Sequence, residues 1–117
     1  MAVRERVWHG GEDAALELYR RRGYRLIARN WKCPLGELDL VLERDGRVVF
    51  CEVKARRSGR LGGPHEAVTP TKQRKLRALG EVYAGRHGVP PAGYRFDVAS
   101  VLMRPGGPEV HVFEDAF

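Results

Sequence analysis

Gly36-Glu37-Leu38-Asp39-Leu40-Val41-Leu42-Glu43-Arg44-Asp45-Gly46-Arg47-Val48-Val49-Phe50-Cys51-Glu52-Val53-Lys54-Ala55-Arg56-Arg57 is two apolar-rich runs joined by Asp-Gly. Asp-Gly between such runs signals a tight hairpin, because both residues tolerate the positive φ of a type I′ turn. With Asp45 and Gly46 as the loop, Arg44 faces Arg47 and every cross-strand pair sums to 91. Val41 then meets Phe50, Asp39 meets Glu52 and Glu37 meets Lys54. A three-residue loop with a bulge would break these pairings. Side chains alternate along a strand. One face therefore carries Leu38, Leu40 and Leu42 against Val49, Cys51 and Val53. The other carries Val41, Val48 and Phe50 near the turn, then Asp39, Glu52, Lys54 and Glu37. A hairpin apolar on one face and half apolar on the other belongs inside a sheet, and a one-residue slip would exchange the faces.

Directly opposed carboxylates about 5 Å apart repel by about 3 kcal/mol at an effective dielectric near 20. That is a large share of the roughly 5–15 kcal/mol that holds a domain together. Lys54, a shared proton or a divalent cation must compensate. Mg²⁺ takes oxygen ligands, often one or two carboxylates with phosphate and water. Lys54 would then hold a phosphate oxygen or a water. A half-buried salt-bridge cluster is the competing reading, and spacing does not separate the two.

At these residues the chain resembles a family. Asp39 followed by Glu52-Val53-Lys54 is similar to the PD-(D/E)xK nuclease signature, with Leu38 where the general signature has Pro. The chain more closely resembles the YraN-like bacterial proteins, which are similar in fold to archaeal Holliday-junction resolvases. The matching pieces are Gly11-Glu12 with Ala15, Gly23-Tyr24, Arg29-Asn30, the stretches 36–40 and 49–56, the loop from Gly62 to Val68, Lys72 and Arg95-Phe96-Asp97-Val98. The resemblance implies a restriction-endonuclease-like core and a metal-dependent nuclease acting on DNA, branched or structured forms included. It implies Mg²⁺ (or Mn²⁺) on Asp39 and Glu52, the Val53 carbonyl as a further ligand, Lys54 at the nucleophile and Glu12 as a third carboxylate. Related resolvases also make a homodimer an expectation. Related families place a Lys or Gln of the second helix in the site, which points to Lys72 and Gln73.

The 117 residues suggest one domain, 1–117, large enough for a proper core. A net charge of +6 and a pI near 9.8 suit a polyanionic partner. Cys33 and Cys51 make no disulfide framework, and His9, His65, His87 and His111 are scattered surface or packing residues. No apolar run approaches the ~20 residues of a membrane helix, and no signal segment opens the chain. The expectation is a cytoplasmic protein with no membrane partner.

Residues 1–7 read as a loose basic lead and about 8–22 as a helix. Glu12 lies on its apolar stripe with Ala15, Leu16 and Tyr19. It is either a carboxylate aimed at the site or a first-turn acid favoured by the helix dipole. Tyr24 to Trp31 alternates as a strand, in which Arg29 and Trp31 are candidates to touch phosphate and base. Residues 55–68 form a Gly- and Arg-rich loop whose Arg56, Arg57 and Arg60 suit a phosphate backbone; a solvated linker is the alternative. Thr69-Pro70 caps a second helix with Leu76, Leu79 and Tyr83 inward and Arg74, Lys75 and Arg77 solvated or on phosphate. Strands follow at 94–102, with Arg95 pairing Asp97, and at 109–113. Glu114-Asp115-Ala116-Phe117 ends as an acidic tail.

The order is α-β-β-β-α-β-β: an α/β fold with a mixed sheet flanked by helices. A metal-dependent DNA endonuclease is the first functional expectation. A non-catalytic nucleic-acid-binding or protein-interaction module with a vestigial nuclease site is the second, and an oligomeric scaffold the third.

Overall fold

The computed structural model describes residues 3–57 and 68–117. Its elements are α1 (Val3–Arg21), β1 (Arg25–Cys33), β2 (Gly36–Arg44), β3 (Arg47–Arg56), α2 (Pro70–His87), β4 (Tyr94–Arg104) and β5 (Gly107–Phe113). The strands form one sheet in the order β1-β2-β3-β4-β5, parallel only between β3 and β4. The α-β-β-β-α-β-β expectation holds. One correction falls at the start: the helix begins at Val3, inside the segment read as a loose lead.

The hairpin turns as its sequence requires. Asp45 and Gly46 have φ of 52° and 79°, and Arg44 pairs with Arg47. Five pairs sum to 91, ending at Leu40–Cys51. Leu40, Leu42, Val49, Cys51 and Val53 pack under α1 with Ala15, Leu16 and Tyr19. Val41, Val48 and Phe50 pack under α2 with Leu76, Leu79 and Tyr83. Each sheet face thus has its own helix and its own core. Leu38 departs from the expected alternation and joins the α2 side.

β1 also departs from simple alternation. A bulge at Ile27 shifts its register against β2, and Asn30 adopts a left-handed φ of 53°. Leu26 consequently packs with the α1 core, whereas Ala28, Trp31 and Cys33 pack with the α2 core. Trp31 lies edge-on to Tyr83, with ring centroids 5.2 Å apart, and the Arg86 guanidinium lies over it. It covers the sheet rather than standing ready to stack on a base.

α2 starts at Thr69, whose hydroxyl accepts the Lys72 N–H at 3.2 Å. Pro70 occupies the first turn, and Gly88 closes the helix at φ 69°. α1 lies close on β3 because Gly11 has no side chain: a Cβ there would stand 2.6 Å from the Ala55 Cβ. Neither methyl has a flexible arm to yield. Gly11→Ala should therefore cost about 1–3 kcal/mol, despite alanine's better helix propensity. Urea unfolding checks this, and an unchanged midpoint would contradict the contact.

The expected acidic tail is a packed end. The Asp115 N–H donates to Asp97 Oδ1 at 3.0 Å, the Ala116 N–H donates to the Phe96 carbonyl at 2.8 Å, and Phe117 stacks on Phe96. Asp97 is fully buried. It also accepts Arg95 Nε at 2.9 Å, Arg95 Nη2 at 3.1 Å and the Tyr19 hydroxyl at 2.8 Å. Arg95 pairs with Asp97 as its spacing suggested. Burial, with Cys51 and Asp97 nearby, pushes the Tyr19 phenol far up, so Tyr19 stays protonated and can donate to Asp97.

Candidate active site

Asp39 and Glu52 sit where β2 and β3 part. An antiparallel ladder alternates hydrogen-bonded and open pairs. Beyond Leu40–Cys51, a continued ladder would leave Asp39–Glu52 open and bond Val53 to Leu38. Instead, the Val53 N–H donates to Asp39 Oδ2 at 2.8 Å. A carboxylate replaces a main-chain carbonyl, and the expected pairing of Glu37 with Lys54 does not follow. The acids nevertheless meet. Each is 6% exposed, and they lie within hydrogen-bonding reach of each other. Burial first, and then the charge of Glu52, pushes the Asp39 carboxyl up to about 8; the Val53 N–H pulls the other way. Near neutral pH the pair holds a proton.

Two ammonium groups answer Glu52. Lys54 Nζ lies 3.6 Å from Oε2, from the same strand two residues on. Lys72 Nζ lies 2.9 Å from the same oxygen, reaching across from the first turn of α2. The Glu52 hydrogen bond is the main cause that raises the Lys72 ammonium above the ordinary lysine range. A cleft of about 330 Å³ opens here between Glu37, Asp39, Glu52, Lys54, Lys72 and Lys75, with Leu76 and Leu79 as its apolar wall.

Lys75, which the sequence reading placed on a solvated face or on phosphate, is exposed and also lines the cleft. The signal for it was present. Lys72, Lys75, Leu76 and Leu79 recur at i, i+3, i+4 and i+7 and share one helix face. Gln73 is not in the cleft lining; its side-chain amide donates to the Val68 carbonyl at 3.0 Å and closes the start of α2.

Glu12 comes from the other layer. It lies mid-helix and fully buried, so the first-turn dipole explanation fails. Oε1 accepts Arg29 Nε at 3.0 Å and Asn30 Nδ2 at 3.2 Å, the latter made reachable by the left-handed backbone of Asn30. Among the described residues, Oε2 is buried with no hydrogen-bond partner, as is Asn30 Oδ1. The charge of Glu12 adds a smaller upward push on Asp39. Arg29 also meets Asp13 at 2.7 Å. The guanidinium expected on phosphate therefore serves two acids of α1.

Arg56 ends β3 half-buried and Arg57 is exposed beyond it. Arg60 and the segment 58–67 lie outside the described residues. Among the described residues, no group of three or more His, Cys, Asp or Glu side chains is arranged to hold a metal ion by itself. The donors that do converge are the two carboxylates of Asp39 and Glu52, beside the backbone at Val53. An all-oxygen set of that size fits a hard cation that keeps water and phosphate as its other ligands. Among the described residues no helix is long and apolar enough to cross a membrane.

Comparison with known proteins gives one consistent result. The model described as "Uncharacterised protein family UPF0102" matches residues 11–101. The UPF0102 protein STH1475 of Symbiobacterium thermophilum is 48% identical over 102 residues, 87% of this chain and 86% of the relative. A UPF0102 protein of Streptomyces griseus is 44% identical over 110 residues, 92% of each chain. Another, from Caldicellulosiruptor saccharolyticus, is 42% identical over 95 residues, 81% of this chain and 80% of the relative.

Proposed function

The chain belongs to the uncharacterised protein family UPF0102, and we propose that it is a divalent-metal-dependent nuclease acting on DNA, branched or structured forms included. The observation that carries this reading is the buried Asp39–Glu52 pair, which opens onto a cleft with three lysines. A fold does not hold such a pair for stability alone, since each buried acid costs desolvation and the two repel.

Asp39 and Glu52 would hold Mg²⁺ or Mn²⁺, with Val53 contributing its carbonyl. A bound cation supplies Lewis acidity toward the scissile phosphate and a lowered pKa for water. Lys54 stands beside Glu52, where its ammonium stabilises charge gathering on the phosphate oxygens. Lys75 carries a further charge into the cleft. Arg29 and Asn30 hold Glu12 to one orientation, with one oxygen left for the site. Arg56 and Arg57, at and just past the end of β3, supply phosphate contacts beyond it. No groove-reading motif is present, so the reading implies substrate choice by shape rather than base sequence.

Incubation with duplex, single-stranded, flap and four-way-junction DNA in Mg²⁺ or Mn²⁺ tests this. Cleavage of at least one substrate is expected, falling by about 10³-fold or more in Glu52→Gln, while DNA binding persists. Equal cleavage by Glu52→Gln would overturn the assignment. A non-catalytic module with a vestigial site is the second reading, favoured by the way two ammonium groups already neutralise Glu52. Binding without cleavage or metal uptake would select it.

A further inference from the structure

We propose that Lys72 is a tethered counter-ion that occupies the cation position on Glu52 and exchanges it for substrate phosphate when metal enters. This rests on the metal-site reading above. The Lys72 ammonium lies 2.9 Å from Glu52 Oε2, on a carboxylate that is itself 6% exposed. A cation that joins Glu52 to Asp39 through Oε2 must displace Lys72 or share that oxygen with it. Lys54 makes the longer contact of 3.6 Å, and its side chain is 24% exposed on a central strand.

Lys72 is built to move where Lys54 is not. Its backbone is fixed, because its N–H donates to the Thr69 cap. Its side chain is 41% exposed and lines an open cleft of about 330 Å³. The four-carbon arm can therefore swing without disturbing α2. Without metal, three lysines face three acids in the cleft. A divalent cation would add two positive charges, with Lys72 released from Glu52. A phosphodiester entering beside the cation is the nearest anion for that ammonium. The exchange keeps the acids neutralised in the empty protein and sends the charge to substrate only when metal is in place.

The inference predicts effects of opposite sign from one substitution. Titration calorimetry of the whole chain with Mn²⁺ should show Lys72→Met binding roughly fivefold tighter than wild type, the equivalent of an exposed ion pair of about 1 kcal/mol. Lys75→Met lines the same cleft without a Glu52 contact and should stay within about twofold. With Mn²⁺ saturating, a phosphorothioate dinucleotide should bind Lys72→Met at least about threefold more weakly than wild type.

Equal or weaker Mn²⁺ binding by Lys72→Met overturns the inference. So does equal tightening in Lys75→Met, which would mark a diffuse field, or unchanged dinucleotide affinity. Loss of Mn²⁺ binding in Asp39→Asn would meanwhile uphold the metal site itself. Absence of Mn²⁺ binding in both wild type and Lys72→Met would sink both the inference and the metal reading.

Discussion

Asp39→Asn should raise the thermal unfolding midpoint at pH 8 and, if the proposed metal site is right, abolish divalent-cation binding in the same protein. The amide keeps the shape of the carboxyl. Its oxygen still accepts the Val53 N–H, and its NH₂ donates to Glu52 where the acid needed a shared proton. In the wild type, the native Asp39 keeps its proton to about pH 8, whereas an unfolded Asp releases it near 3.9. Between these values the native state binds more protons than the unfolded state. The contribution of Asp39 is therefore largest below about pH 4 and falls as pH rises towards about 8. Asparagine has no such loss. The variant should gain about 1–3 kcal/mol at pH 8 and much less at pH 5. In a domain of this size that is roughly 3–5 °C per kcal/mol. Thermal melts at the two pH values check the trend, and a destabilised variant at pH 8 would contradict it.

Asp97→Ala should have the opposite effect and a larger one. It removes one carboxylate and leaves three donors stranded: the Tyr19 hydroxyl, the Asp115 N–H and the two-point contact from Arg95. The Arg95 side chain is 12% exposed, and its remaining partners are the Tyr24 hydroxyl at 2.7 Å and Glu114 at 3.5 Å. Breaking a buried ion pair from one side costs about 3–5 kcal/mol. That approaches the whole stability of a modest domain. Urea denaturation should show a lower midpoint, and limited proteolysis should cut first near residues 114–117, where Asp97 anchors the chain end. A loss below about 1 kcal/mol would mean that Asp97 is not the anchor.

The two buried acid centres are unlike in a way that bears on function. Asp97 is satisfied on every side, which is what a structural acid requires. Burial raises the Asp39 carboxyl, Asp39 and Glu52 open on a cleft, and among the described residues Glu12 Oε2 has no hydrogen-bond partner. A group left unsatisfied inside a well-packed fold marks a place held for something else.

The sequence by itself determined the hairpin, its turn and its first five pairs. Asp-Gly permits one backbone geometry, and the apolar alternation penalises any slip. It determined the caps of α2 and the inward stripe of α1 that carries Glu12. These are local matters of φ, periodicity and capping, decided within a few residues. The tertiary structure decided what lies across from those residues. It brought Lys72 onto Glu52, put Arg29 and Asn30 on Glu12, turned Leu38 to the α2 face and drew the acidic end onto Asp97. Each joins segments distant in the chain or breaks a regular alternation. Such outcomes depend on how two helices seat against opposite faces of one sheet, a balance of packing and buried charge that no short window of residues contains.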